Sequence, residues 1–239
     1  METTTFEVPT ADGPMPVYRA RPDGSPRGGV LVVQEAFGVN SHIEDVTRRF
    51  AAEGYLAMAP HFFHRSGGGT VAYGDFGAVM PHFKELSDER ILADIDATLG
   101  AFSEDGVSLD RVGVVGFCFG GRVSFLAAVD RSLGAAVGFY GGGIVSGRSD
   151  VMPALVDRIG EMYTPWLGLF GDRDAHIPVD DVEKLKAALK DNAKVDAEVV
   201  RYPDADHGFH CDERESYHPD SAADGWKRTL EWLSNHLPA

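Results

Sequence analysis

The chain has 239 residues, 44% of them hydrophobic, enough to bury one large α/β core or two small ones. Its net charge of −15, spread without an acidic tail, argues against nucleic-acid backbones and anionic membranes as partners. No apolar run approaches membrane-spanning length, the first residues are polar, and two cysteines make no disulfide framework, so a cytoplasmic protein in a reducing compartment is expected.

In chain order, residues 4–9 and 15–20 alternate like strands about the turn Ala11-Asp12-Gly13-Pro14. Gly29 to Val33 is a continuous apolar strand leading into Gln34-Glu35-Ala36-Phe37-Gly38. Ser41 is the expected N-cap, with Glu44 completing a capping box, of a helix running to about Glu53; Tyr55 to Ala59 is the next buried strand. From His61 to Met80 the chain is rich in glycine, histidine and aromatics without periodicity, as in a functional loop or cap. Helical spacing returns from Glu85 to Phe102, followed by a strand at 111–115, an abrupt turn, and a helix from Arg122 to Val129. Leu133 to Tyr140 is a further apolar run, and 144–163 a second irregular insert. A strand at Trp166–Phe170, a helix at Val179–Lys190, a strand at Ala197–Tyr202 and a closing helix at Ala222–Leu237 complete the chain. Strands alternating with helices imply a mostly parallel sheet doubly wound by helices, and no linker interrupts it, so residues 1–239 are expected to form a single domain.

The turn reads Gly116-Phe117-Cys118-Phe119-Gly120. A nucleophile on a strand-to-helix elbow needs glycines two residues to either side, because neighbouring backbones crowd a residue held in strained φ/ψ. Cys118 therefore fills the serine place of a G-x-S-x-G elbow, and the helix that follows offers free N–H groups to a thiolate. A thiol attacking a carbonyl needs a base, and the base needs an orienting acid. The order nucleophile, acid, histidine, each in a post-strand loop, is that of the α/β-hydrolase fold. Here Cys118 is followed by Asp172 or Asp174, between which spacing does not choose, and then by His207, with His210 as its rival. Glu35 follows the strand at 29–33, at the loop whose N–H usually completes an oxyanion hole. The N–H groups of Ala36 and Phe119 are the expected pair. A carboxylate beside a thiol opposes its ionisation, so Glu35 is expected to hold the Cys118 proton at rest and to release a thiolate when substrate displaces it.

Gln34-Glu35-Ala36-Phe37-Gly38, Gly116-Phe117-Cys118-Phe119-Gly120-Gly121, Gly171-x-x-Asp174-x-x-Ile177-Pro178 and His207-Gly208-Phe209 together resemble the dienelactone hydrolases. The resemblance spans roughly residues 4–236, including Tyr217-His218-Pro219, Ala222-Ala223 and Trp226 near the end. It implies a cofactor-independent hydrolase of small esters or lactones with a Cys118–Asp174–His207 triad, and it matches Glu35 to the family glutamate that interacts with the resting cysteine. Members resembling this chain hold a substrate carboxylate with two arginines, one of them four residues after the histidine. That place is Cys211 here, and the loop expected to carry the other, Val79 to Lys84, has no arginine. Arg214 and Lys84 are the replacements at hand, and Phe37, Phe62, Phe63, Tyr73, Phe76, Phe119 and Tyr140 are expected to line an apolar mouth. Neutral activated esters or phosphotriesters are then the alternative substrates. A hydrolase-fold binding protein is a third class, against which the intact three-residue order speaks. His61/His64 and His207-x-x-His210-Cys211 lack a second matched ligand pair, and Gly67-Gly68-Gly69-Thr70 lacks a phosphate-loop lysine, so no metal or cofactor is expected. The expected partner is a small ester or lactone, and the expected assembly a monomer or homodimer.

Overall fold

In a computed structural model, which describes residues 1–238, the first two strands form a hairpin, β1 (Glu2–Thr10) and β2 (Gly13–Arg21), closed by Gly13 at φ 111°. The remaining strands are β3 (Gly29–Val33), β4 (Leu56–Pro60), β5 (Val112–Phe117), β6 (Ala135–Phe139), β7 (Trp166–Gly171) and β8 (Ala197–Tyr202). They make one eight-stranded sheet in the order β1-β2-β4-β3-β5-β6-β7-β8. Strands β4 to β8 run parallel through that order, and the hairpin joins antiparallel through β2 on β4. Every residue of β3, β4, β5, β6 and β7 is buried, as continuous Val/Leu/Ala runs require when helices cover both faces.

Helix α1 (Ser41–Ala52) shares one face with α6 (Pro219–His236), where the Phe50 and Trp226 rings lie 4.6 Å apart. The other face carries α3 (Asp88–Glu104), α4 (Phe119–Asp130) and α5 (Val179–Asn192). The short α2 (Phe76–Phe83) stands apart, over the loop after β3. Several boundaries differ from the sequence expectation. The cap of α1 is Asn40, whose side chain accepts from the Ile43 N–H at 3.2 Å, while the Ser41 hydroxyl donates to Glu213 instead. The segment 61–80 is not wholly irregular, since it holds a 3-10 turn at His64–Ser66 and the start of α2, capped by Asp75. Eight residues with Gly77 and Pro81 inside are too few to display a helical period. Helices α4 and α6 each begin three residues earlier than expected, α4 directly after Cys118.

Arg122 of α4 is fully buried and ties the second insert down. Its guanidinium donates to both Asp88 oxygens at 2.6 and 3.0 Å and to the carbonyls of Gly143 (3.2 Å) and Pro153 (2.6 Å). A buried cation this fully partnered fixes the loop it bridges, and removing one partner would leave the charge unsatisfied.

Candidate active site

The elbow is built as the sequence requires. Cys118 sits at φ 55°, ψ −112°, between β5 and α4, with its N–H on the Phe139 carbonyl at 3.0 Å. A Cβ on Gly116 would lie 1.9 Å from the Gly120 carbonyl oxygen, and one on Gly120 would lie 2.4 Å from the Val33 oxygen. No side chain fits at either place.

His207, on the loop after β8, brings Nε2 to 3.1 Å from the Cys118 sulfur, and its Nδ1 donates to Asp174 Oδ2 at 2.6 Å. Asp174 is 5% exposed, and its other oxygen accepts the His176 N–H at 2.8 Å, so both oxygens are oriented. Asp172 is occupied elsewhere, paired through both oxygens with Arg201 at 2.7 and 2.8 Å. Of the two aspartates that spacing left open, only Asp174 meets the histidine. His210 lies beneath the site, 2% exposed, with its ring 5.1 Å from Phe117 and 6.0 Å from Trp226. Burial, then the charges of His42 and Arg49, lower its pKa to about 3, so it stays neutral.

Burial works against ionisation of the Cys118 thiol, but the charge of His207 and its hydrogen bond outweigh it and hold the thiol below its ordinary value. Glu35 opposes the lowering and Arg148 assists it. Burial likewise disfavours imidazolium, yet the Cys118 charge and the hydrogen bonds the ring donates to Asp174 and Cys118 raise His207 to about 10. The two shifts describe one thiolate–imidazolium pair.

Glu35 is fully buried rather than solvated. It is not hydrogen-bonded to Cys118, contrary to the expectation that it holds the thiol proton at rest; the thiol turns to His207, and Glu35 Oε1 pairs with Arg214 Nη1 at 3.3 Å. The physical reason is charge: a guanidinium stabilises a buried carboxylate better than a thiol does, and the imidazole competes for the sulfur. Gln34 fixes this turn, donating from Nε2 to the Glu35 carbonyl at 3.3 Å and accepting the Phe62 N–H at 3.2 Å. The Ala36 and Phe119 N–H groups, in the loop after β3 and the first turn of α4, find no acceptor among the described residues.

Arg214 extends from the His207 loop, with its guanidinium 5.9 Å from the Phe37 ring and 5.7 Å from Tyr73. Gly208, at φ 81°, makes room for it, since a Cβ there would lie 2.4 Å from Nη1. Tyr73 donates to or accepts from the Cys211 sulfur at 3.3 Å, and its hydroxyl also accepts from Asn40 at 2.9 Å. The expected aromatic mouth is mostly interior. Phe37 is 2% exposed and Tyr140 is fully buried, as are Phe62, Phe63 and Phe119 to within a percent; these rings pack the floor and offer no substrate surface. Of the group, Phe76 on α2 is exposed and Tyr73 half-buried.

Sequence reasoning missed Arg148. Lys84 is exposed and makes no ion pair among the described residues, whereas Arg148, from the second insert, stacks over Phe83 at 5.4 Å with its charge reaching Cys118. Its side chain has no carboxylate partner among the described residues. No signal in the sequence ties an arginine in an irregular loop to a thiol thirty positions away, although the buried Arg122 anchor beside the elbow is what fixes that loop. Among the described residues, no cluster of histidine, cysteine, aspartate and glutamate has the geometry to hold a metal ion. Nor is any described helix long and apolar enough to cross a membrane.

The sequence profile of the dienelactone hydrolase family matches residues 15–237. A Yersinia pestis protein named as a candidate carboxymethylenebutenolidase is 39% identical over 240 residues, covering 98% of this chain and 88% of that protein. A Synechocystis protein of the same name is 37% identical, covering 99% of this chain and 98% of its own. Among solved structures, a candidate dienelactone hydrolase from Klebsiella pneumoniae superposes with a TM-score of 0.89 at 39% identity, covering 98% of each chain. A dienelactone hydrolase-like promiscuous phosphotriesterase from metagenomic libraries has a TM-score of 0.79 at 22% identity over the whole of both chains, a likeness of fold. With the elbow, the paired loops and these relatives in agreement over nearly its full length, the chain belongs to the dienelactone hydrolase family.

Proposed function

We propose that this enzyme hydrolyses small esters and lactones through a thioester on Cys118. The observation that carries the reading is the line Cys118 Sγ, His207, Asp174, with separations of 3.1 and 2.6 Å. The thiolate attacks the carbonyl carbon, and the carbonyl π electrons move to oxygen, where the Ala36 and Phe119 N–H groups receive the charge. Collapse breaks the bond to the leaving oxygen, which takes the proton from His207. The neutral imidazole then removes a proton from water, hydroxide attacks the thioester, and release of the acid restores the thiolate–imidazolium pair. Asp174 keeps Nδ1 protonated and the ring aligned throughout.

Arg148 and Arg214 favour an acyl portion bearing a carboxylate, although neither occupies the position the family pattern led us to expect. A free guanidinium and one held on a buried glutamate both act on the nucleophile from opposite loops. Glu35 acts on the thiolate from its place beside Arg214: while that guanidinium holds the carboxylate, the sulfur is left to His207. The chain reads as one domain acting as a monomer or homodimer in the cytoplasm, where both cysteines remain free.

The decisive measurement is turnover by Cys118→Ala of p-nitrophenyl acetate and of a carboxylated enol-lactone. Both should disappear, and retained turnover of either removes Cys118 as nucleophile. Wild-type kcat/KM for the carboxylated lactone should exceed that for neutral aryl esters and phosphotriesters; the reverse order assigns the site to neutral substrates.

A further inference from the structure

Tyr140 is the group that the acyl-transfer chemistry leaves unused. It follows β6 at φ 39°, and Cys118 follows the neighbouring β5 at φ 55°; these are the two non-glycine residues with positive φ among those described. A side chain held in that region survives only where its surroundings over-determine it. Its ring is wedged 5.2 Å from His207 and 5.2 Å from Phe209, so the hydroxyl position is fixed.

That hydroxyl is buried and has no hydrogen-bond partner. Glu35 Oε2 is also buried and unpartnered, although its sister oxygen pairs with Arg214. Burial first, then the charge of Glu35, keeps the Tyr140 phenol protonated far above its ordinary range, with Cys211 and Cys118 acting in the same sense and Arg214 opposing. The two groups flank the same turn behind the nucleophile, since the Tyr140 ring lies against His207 while Arg214, which holds Glu35, fills the space over Gly208, so a donor without an acceptor and an acceptor without a donor lie on either side of it. Two buried orphans of opposite sense, each unable to reach water, have a strong incentive to meet.

We infer that Tyr140 is a positioning residue whose phenol O–H donates to Glu35 Oε2, after a rotation of the carboxylate, so that Tyr140 and Arg214 together hold Glu35 away from Cys118. The inference rests on the reading of Cys118 as the nucleophile. Tyr140 itself touches no substrate, because it is fully enclosed. Its effect is indirect: a carboxylate released from one of its two holds turns toward the sulfur, accepts a hydrogen bond from the thiol, and opposes ionisation.

The test is Tyr140→Phe, which keeps the ring and deletes the donor. The pH profile of Cys118 alkylation by iodoacetamide, followed by mass spectrometry of the Cys118 peptide so that Cys211 is not counted, should move upward by about one unit. In a Glu35→Gln background the same substitution should leave the profile where it is, since no carboxylate remains to be released. A profile unmoved by Tyr140→Phe, or moved equally in both backgrounds, overturns the inference. Should Tyr140→Phe fail to fold, 3-fluorotyrosine at position 140, a stronger donor of nearly the same size, should move the profile downward; no movement overturns the inference equally. Alkylation is read without turnover, so a failure of the nucleophile assignment, seen as activity surviving in Cys118→Ala, is distinguished from a failure of this one.

Discussion

Two regions of the molecule meet at the thiol, and they are built on different principles. On one side are the strand ends after β5, β7 and β8, which present Cys118, Asp174 and His207 from a sheet whose central strands are buried throughout. On the other are two inserts, 61–83 and 144–163, which place Tyr73, Phe76 and Arg148 through a small cluster on Phe37 and through the Arg122 anchor. The first region holds its groups by backbone, with glycines where no Cβ fits and hydrogen bonds on both aspartate oxygens. The second holds them by side chains, which can be exchanged without disturbing the sheet. On the proposed function, the scaffold fixes the chemistry, and the inserts, through Arg148, share in selectivity with Arg214 of the His207 loop.

If that division is right, damage to the strand-end groups should reduce turnover of every substrate, and damage to the inserts should reduce it selectively. The largest effect belongs to Asp174→Asn, expected to lower kcat by about 10⁴-fold through loss of the correct imidazole tautomer. Asp172→Asn, two residues away but committed to Arg201, should leave kcat within about twofold, its ion pair lying at the partly exposed surface. Equal losses from the two would erase the distinction.

Next in size is Arg148→Ala, expected to raise KM for a carboxylated lactone by roughly ten- to a hundredfold, the loss of one charge-assisted hydrogen bond, with neutral p-nitrophenyl esters changed far less. A uniform loss on both substrates would move Arg148 from the selective region to the chemical one.

A smaller and graded effect is the response to pH. His207 has its pKa raised to about 10 by its partners, so kcat/KM should hold through neutrality and fall as pH rises through about 10, where the imidazolium of the pair deprotonates. The stability follows the same sign: a raised folded pKa contributes fully below the unfolded value of 6.5 and is lost as pH rises through about 10. His210 has the opposite sense. Its folded pKa is lowered to about 3, so stability is intact above 6.5 and declines as pH falls toward 3, because the unfolded chain takes the proton first. Urea midpoints measured from pH 7 to 4 should therefore fall, and less steeply in His210→Phe, which removes that titration. The smallest effect is that of Phe76→Ala, an exposed ring on α2, expected to change unfolding free energy by less than about 0.5 kcal/mol in urea titrations.

Read by itself, the sequence determined the alternation of strands and helices, the elbow at Cys118 and the placement of its partners in post-strand loops, because these depend on local signals: apolar runs, glycines two residues apart from a nucleophile, and turn chemistry. It did not choose between Asp172 and Asp174 by spacing; the motif resemblance favoured Asp174, and in the fold Asp174 meets His207 while Arg201 from β8 occupies Asp172. Short α2 escaped detection because eight residues with a proline inside show no period. The resting state of Glu35, the burial of Tyr140 and the arrival of Arg148 were decided by tertiary structure alone. Each depends on which charges and rings are brought together from distant loops, and a buried carboxylate, phenol or guanidinium takes its partner from whatever the fold places within reach, not from its neighbours along the chain.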